Sequence, residues 1–203
     1  LYGRVETPRK STLKAALVAD VISVEILEGS EVNGGQLLVI LDDTDAQLLF
    51  EQHQADVLEI NALIQSEQAR FKRDTGLLEQ EKALSKLAVN AVERAKKLGK
   101  TNLVSQSNLD DAIAAKQRQI LLLKRLQFDI ADHSSRLMQL EARKKRNQAL
   151  LKQAEVDIKR TKVTAPFDAR ISQLNIAVGD RVRIGDSLLS LYDVNNLEVR
   201  AQI

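Results

Sequence analysis

The most constraining feature of this sequence is a long central stretch that is almost free of helix-breaking residues. Between Asp45 and Thr164 there is no proline, and the only glycines are Gly76 and Gly99. The stretch is rich in Ala, Leu, Lys, Gln, Glu and Arg, which are good helix formers. Aromatic residues make up only 3% of the chain, and they usually dominate a large core. The stretch therefore predicts very long, thin helices rather than a large globular domain.

A seven-residue repeat runs through the second half of this stretch. One row is mostly apolar, and a second row, three residues further along, contains more polar residues. The rows are Leu109, Lys116, Leu123, Ile130, Leu137, Lys144, Leu151 and Ile158, and Ala112, Gln119, Leu126, His133, Leu140, Asn147 and Ala154. A strict seven-residue spacing predicts left-handed coiled-coil packing, and the weaker second row favours a two-stranded coil.

The first half of the stretch carries its own rows at the same spacing. They are Leu48, Ala55, Ala62, Ala69, Gly76 and Ala83, and Leu77, Leu84, Ala91 and Leu98. Small residues in the first of these rows predict a close approach of the partner helix. On this spacing we interpret Gly76 as a close-contact position rather than as a kink.

A glycine and polar cluster at residues 99–102 predicts the end of the first helix. Ser105 then reads as the N-cap of the returning helix. Each arm has about 55 residues and would extend roughly 80 Å at 1.5 Å per residue. Residues 45–161 are therefore predicted to form one antiparallel α-helical hairpin with its tip at about residues 98–105.

The flanking ranges 11–44 and 162–193 predict short β-strands separated by turns. Both contain the pattern G-x-x-V-x-x-G-x-x-L, which is an internal repeat interrupted by the hairpin. Its glycines are predicted to occupy turns that need positive φ: Gly29, Gly35, Gly179 and Gly185. Each half would bury only one face alone, so we expect the two halves to pair into one small β-sandwich. The fold class is thus predicted to be α+β.

The two half-motifs resemble the split lipoyl (biotinyl-carrier-like) domain of periplasmic adaptor proteins. These are the membrane fusion proteins of the HlyD/AcrA/MacA family, in which a helical hairpin is inserted between the halves. Residues 164–168, Thr-Ala-Pro-Phe-Asp, with Arg170 and Ile171 after them, resemble the family's entry to the second half. Residues 1–10 and 194–203 resemble strands of the family's β-barrel domain.

The resemblance extends to the predicted hairpin tip. Family members that dock on TolC-like outer-membrane channels carry R-x-x-x-L-x-x-x-x-x-x-S there, and this sequence has Arg94, Leu98 and Ser105 at that spacing. By resemblance these three residues would contact the channel. Each also has a structural interpretation: Arg94 as a solvated helix residue, Leu98 as part of the coil core, and Ser105 as a helix cap only.

The resemblance implies a periplasmic adaptor subunit of a tripartite efflux or secretion system, which links an inner-membrane pump to a TolC-like channel. It implies a homo-oligomer, as a hexamer, and a full-length protein anchored to the inner membrane by a part outside this sequence. The hairpin length is closest to MacA-type adaptors of ABC exporters, with RND pumps as the other class. A type I protein-secretion adaptor and a coiled-coil scaffold without a transport role stay open as alternatives.

No catalytic, cofactor or metal site is predicted. A true lipoyl domain carries Asp-Lys-Ala at its exposed turn, whereas residues 44–46 here are Thr-Asp-Ala. There is no cysteine, and His53 and His133 are isolated histidines on predicted helices. The carboxylates of residues 42–45 are interpreted as a helix N-terminal cap. A net charge of +2 argues against nucleic acid as the main partner.

Overall fold

The computed structural model describes residues 2–6, 9–100, 105–194 and 198–202, with side chains described for 9–100 and 105–194. Ten strands and three helices lie in these ranges. They are β1 (Tyr2–Glu6), β2 (Lys10–Lys14), β3 (Ala19–Val24), β4 (Glu31–Val32), β5 (Leu37–Leu41), α1 (Thr44–Gly99), α2 (Gln106–Ala131), α3 (His133–Arg160), β6 (Lys162–Thr164), β7 (Ala169–Leu174), β8 (Arg181–Val182), β9 (Ser187–Asp193) and β10 (Glu198–Gln202).

The chain divides into two compact units. One unit comprises Leu1–Ala55 and Gln148–Ile203, and it holds the strands and the hairpin-base ends of α1 and α3. The other unit is Asp56–Asn147, which is the helical hairpin proper. None of the described helices is apolar over a length sufficient to cross a membrane.

The strand unit contains two four-stranded antiparallel sheets that share strands between the two halves of the repeat. Their orders are β2-β9-β7-β4 and β6-β5-β3-β8. Strand β4 of the first half pairs with β7 of the second, and β8 of the second half pairs with β3 of the first. The predicted pairing of two half-sandwiches is thereby confirmed, and each sheet requires both halves of the sequence.

The sandwich core follows the period-two pattern of its strands. Strands β3 and β7 both begin with alternating buried and exposed residues, which places one face inward. The core is built from small and aliphatic side chains of both halves: Ala15, Ala19, Val21, Ile26, Val32, Leu38, Val39, Leu41, Ala165, Ala169, Ile171, Val182, Leu188, Leu189 and Leu191. An aromatic-poor sequence still builds a core here because the interior is thin and two-layered.

The repeat glycines occupy equivalent turns. Gly29, Gly35, Gly179 and Gly185 have φ of 83°, 84°, 91° and 93°. Gly29 donates its N–H to the carbonyl of Ile171, and Gly179 donates to that of Val21, both at 2.9 Å. These bonds join each turn to a strand of the other half.

The chain ends form a separate two-stranded sheet. Strands β1 and β10 pair antiparallel, with Gly3 opposite Ala201 and Val5 opposite Val199. The predicted assignment of residues 1–10 and 194–203 to a β-barrel domain stays a prediction, because a single strand pair does not define a barrel.

In the return arm the inward-facing residues are those of the predicted rows. Every described member from Leu109 to Ile158 in the first row, and from Ala112 to Ala154 in the second, is partly or fully buried. The predicted coiled-coil face of this arm is confirmed. The arm is not one continuous helix, however, because α2 ends at Ala131 and α3 begins at His133.

The rows predicted for the first arm are wrong. The row of small residues from Leu48 to Ala83 is exposed, and Leu77 and Leu84 are also exposed. The inner rows of α1 are instead Phe50, Val57, Ile64, Phe71, Leu78, Ser85, Val92 and Gly99, and His53, Ile60, Glu67, Asp74, Glu81, Ala88 and Ala95. Six of the eight residues in the first of these rows are apolar, whereas three carboxylates and a histidine occupy the second.

Gly76 is exposed within α1, and a Cβ placed on it would meet nothing within 4 Å. The interpretation of Gly76 as a close-contact position is therefore wrong. Helix α1 continues through this glycine without interruption from Thr44 to Gly99.

Candidate functional site

The last two turns of α1 carry Arg94 and Leu98 on their outer surface. Both side chains are exposed, Leu98 to 45%. They are four residues apart, so they lie one turn apart on the same face of the helix. The structure thus brings these two predicted site residues together on one accessible surface.

Leu98 lies outside the inner rows of the hairpin. Near the end of α1 the inward positions are taken by Val92, which is buried, and by Ala95 and Gly99, which are partly buried. The interpretation of Leu98 as a coil-core residue therefore does not hold.

Ser105 begins the return arm as the N-cap of α2, as predicted. Its backbone is extended, with φ −69° and ψ 154°, and its Oγ accepts a hydrogen bond from the Asn108 N–H at 3.3 Å. The hydroxyl uses an acceptor lone pair in this bond, so its own proton is still able to serve a partner. Residues 101–104, which complete the predicted tip, lie outside the described residues.

The register of the hairpin relates Ser105 to the end of α1. Several hydrogen bonds cross between the arms, among them those from His133 to Glu67 and from Gln119 to Glu81. Glu67 and Glu81 are fourteen residues apart in one direction, and His133 and Gln119 are fourteen apart in the other. A further fourteen residues along each arm places Ser105 level with Ala95, between Arg94 and Leu98 along the helix axis.

The end of α1 is strongly basic, a feature that the three-residue tip motif does not include. Lys96 and Lys97 lie in its last turn, Arg94 lies just before them and Lys100 directly follows the helix. Cations at a helix C-terminus also stabilise the helix through its macrodipole. The basic residues between 94 and 100 are visible in the sequence, so this basic surface could have been predicted from it.

At the other end of the hairpin, the acidic residues cap α1 as predicted. The Asp42 Oδ1 accepts from the Thr44 backbone N–H at 2.9 Å and from its hydroxyl at 2.6 Å. These bonds hold the pKa of Asp42 below its ordinary value, the hydroxyl bond having the larger effect. Thr44, Asp45 and Ala46 form the first turn of α1.

No group of three or more His, Cys, Asp or Glu side chains within residues 9–100 and 105–194 is placed to hold a metal ion. His53 faces inward on α1, and His133 is part of a polar contact between the arms. Both histidines are therefore structural parts of the hairpin interior.

Comparison with known proteins assigns this architecture to a family. Residues 9–193 match the family model described as RND MFP, barrel-sandwich hybrid domain. The chain is 25% identical over 207 residues to the macrolide export protein MacA of Escherichia coli O157:H7, covering 99% of this chain and 47% of the relative. It is 26% identical over 195 residues to the multidrug export protein EmrA of Haemophilus influenzae, covering 93% and 50%.

Among solved structures, MacA from Actinobacillus actinomycetemcomitans superposes with a TM-score of 0.57 at 16% identity. The superposition covers 97% of this chain and 53% of that one, and it concerns the fold alone. The chain spans about half the length of the curated relatives it matches.

Proposed function

Since this chain belongs to the RND membrane fusion protein family through its barrel-sandwich hybrid domain, we propose that it is part of a periplasmic adaptor. In this role it links an inner-membrane pump to a TolC-like outer-membrane channel. The family is one of adaptor proteins, and the curated relatives are export proteins.

The observation that carries the docking part of the proposal is the exposed surface near the end of α1. Arg94 and Leu98 share one face there, and the register of the arms places Ser105 level with them. A guanidinium makes charge-assisted, forked hydrogen bonds to carboxylates or helix-end carbonyls. Leu98 supplies apolar contact beside it, and the surrounding lysines add long-range attraction to an acidic surface.

We further propose that the adaptor works without catalysis or cofactor. The sandwich presents a helix start at residues 44–46 instead of a lipoyl lysine. Its work is then assembly and coupling. Copies of the chain assemble as a homo-oligomer, for which we propose a hexamer, in a protein held at the inner membrane by a part outside this sequence.

For the pump we favour the ABC class over the RND class. Helix α1 contains 56 residues, which is about 84 Å at 1.5 Å per residue. Hairpins of that length resemble those of MacA-type adaptors, and the sequence similarity to MacA covers nearly all of this chain.

The test is cross-linking in cells between the full-length adaptor and the outer-membrane channel, through a photoreactive residue at Lys97. Wild type is compared with Arg94→Asp and with the matched control Arg118→Asp. Arg118 is also exposed, and it lies on the outer side of α2 away from the tip. We expect Arg94→Asp to lower the cross-linked fraction at least roughly tenfold. The substitution removes the hydrogen bonds of the guanidinium and places a negative charge against the acidic surface proposed for the channel.

Arg118→Asp should cross-link as well as wild type. If both variants cross-link normally, the docking surface is not at Arg94. If both lose the cross-link equally, only the net charge of the hairpin matters, and the specific tip contact is wrong.

A further inference from the structure

A polar layer crosses the middle of the hairpin at Glu67. The Glu67 carboxylate lies in an inner row of α1, and the residue is only 9% exposed. Its Oε1 accepts from the Nδ1 of His133 and from the Nε of Arg136, both at 2.9 Å. A buried carboxylate is costly unless it is paired, so α3 provides both of the partners that make this layer stable.

Arg136 joins all three helices. Its Nε binds Glu67 of α1, and its Nη2 donates to the backbone carbonyl of Asp129 in the last turn of α2 at 2.8 Å. The chain between α2 and α3 is the single residue Asp132, whose φ of −73° and ψ of −13° lie in the right-handed helical region. Its N–H donates to the Phe128 carbonyl at 3.0 Å and its carbonyl accepts from the Arg136 N–H at 3.1 Å, so helical hydrogen bonding continues across this irregular point. The Arg136 guanidinium spans the same point and connects it to α1.

The His133 ring is held from two sides. It stacks on Phe71 of α1, with ring centroids 4.0 Å apart and an angle of 17° between the planes. Because an ionised carboxylate only accepts, the Nδ1 of His133 carries the proton in its bond to Glu67. The bond therefore exists with either a neutral or a charged imidazole, and the ionisation of Glu67 decides whether the layer holds.

Other charged groups surround the layer. Arg70 lies one turn along α1, Asp129 ends α2, and Arg143 of α3 lines the shallow groove that Glu67 and Arg136 share. Burial raises the pKa of Glu67, but its bonds to His133 and Arg136 outweigh that effect and leave the pKa below the ordinary value. The stabilisation is thus present above the unfolded value of about 4.3, and it is lost as pH falls through the lower folded-state pKa.

We propose that Glu67, His133 and Arg136 form a proton-sensitive latch that holds α2 and α3 in line at Asp132. Ionised Glu67 keeps the latch closed. Protonation removes the negative charge that both partners bind, and the distal part of the hairpin is then free to bend at Asp132.

The test uses the full 203-residue chain and the variant Glu67→Gln, which mimics protonated glutamate at neutral pH. Hydrogen exchange of the amides of residues 128–137 is measured at pH 7. We expect the variant to exchange at least roughly tenfold faster there, since the latch contributes to local stability at the interruption. The matched control is Asp74→Asn, a second buried carboxylate of α1 whose ion pairs, to Arg70 and Arg73, lie within its own helix.

Asp74→Asn should leave exchange in residues 128–137 within about twofold of wild type. Equal acceleration by both variants would show general loosening of the hairpin and overturn the latch. Wild-type exchange rates in Glu67→Gln would overturn it as well.

A second measurement covers the case in which Glu67→Gln does not fold. The chain contains no cysteine, so nitroxide labels at Gln68→Cys and Gln127→Cys report one distance by pulsed EPR. We expect the wild-type distribution to broaden between pH 7 and about pH 3, below the ordinary carboxyl range. An unchanged distribution would overturn the latch. Neither measurement involves the channel, so the docking proposal stands or fails separately.

Discussion

Gly179 and Gly76 share one property: a Cβ added to either would meet nothing within 4 Å. Gly179 has a φ of +91° in a turn of the sandwich, whereas Gly76 lies inside α1. Substituting each by alanine therefore measures the backbone preference without a steric contribution.

Gly179→Ala should destabilise the sandwich. An L-residue in the left-handed region costs about 1–2 kcal/mol. Urea unfolding followed by circular dichroism at 218 nm in a hairpin-deleted chain would give the change directly. An unchanged midpoint would mean that the turn relaxes to negative φ.

Gly76→Ala should stabilise α1 by about 0.5–1 kcal/mol, since alanine loses less backbone entropy in a helix. The measurement is the midpoint of thermal unfolding at 222 nm for the whole chain. A lower midpoint would indicate that another molecule approaches this glycine too closely for a methyl group.

At the scale of elements, the two arms of the hairpin differ in how clearly they show their packing. The return arm has Leu or Ile at six of the eight positions of its first row. The arm α1 places Glu67, Asp74 and Glu81 in an inner row and Ala at several outer positions. The other inner row of α1, from Phe50 to Gly99, is apolar at six of its eight positions, but outer rows of Ala and Leu have the same seven-residue spacing. Periodicity therefore identified the inward face of the return arm and did not select between the competing rows of α1.

The register of the arms is directly testable. Ile60 precedes Glu67 by seven residues and Leu140 follows His133 by seven, so these two side chains should face each other. Ile60→Cys with Leu140→Cys should form an intramolecular disulfide in high yield under mild oxidation, detected by mass spectrometry after proteolysis. Pairing requires Cα atoms closer than about 7 Å.

The control pair is Ile60→Cys with Asn147→Cys, one heptad away on the same row. It should remain reduced. Preferential oxidation of this control pair would mean that the arms are shifted by one heptad in solution.

At the scale of the whole molecule, we expect the sandwich to fold without the hairpin. All residues of its described core cluster lie before residue 42 or after residue 164. The two ends of the hairpin are adjacent at its base, where the Leu41 N–H donates to the Thr161 carbonyl at 2.8 Å. The long insertion therefore leaves the sandwich and returns to it at neighbouring points.

Replacing residues 44–160 by a short Gly-Ser linker should leave a cooperatively folding β domain. A shorter loop also lowers the entropic cost of closure, by roughly 0.6 kcal/mol for each halving of its length. Dispersed amide signals in NMR and a sigmoidal thermal transition would show this. A chain ending at residue 160 is the control, and it should be unfolded in its β part, because both sheets need strands from residues 162–193.

The sequence by itself determined the element types, the split repeat and the turns. These signals act locally: they are the placement of proline and glycine, helix propensity and the G-x-x-V-x-x-G-x-x-L pattern. Each copy of that pattern predicts its turns from a few neighbouring residues. Ser105 and the Asp42 cap were predictable for the same reason, since a cap is satisfied within a few residues.

Only the tertiary structure decided which face of α1 is inward, where the return arm is interrupted, and how Glu67 is paired. Each of these depends on groups that are remote in sequence: Glu67 and His133 are 66 residues apart. A buried charge is acceptable only when its partners arrive from another helix. No local pattern reports that partner, so the polar layer appears only once the two arms are folded together.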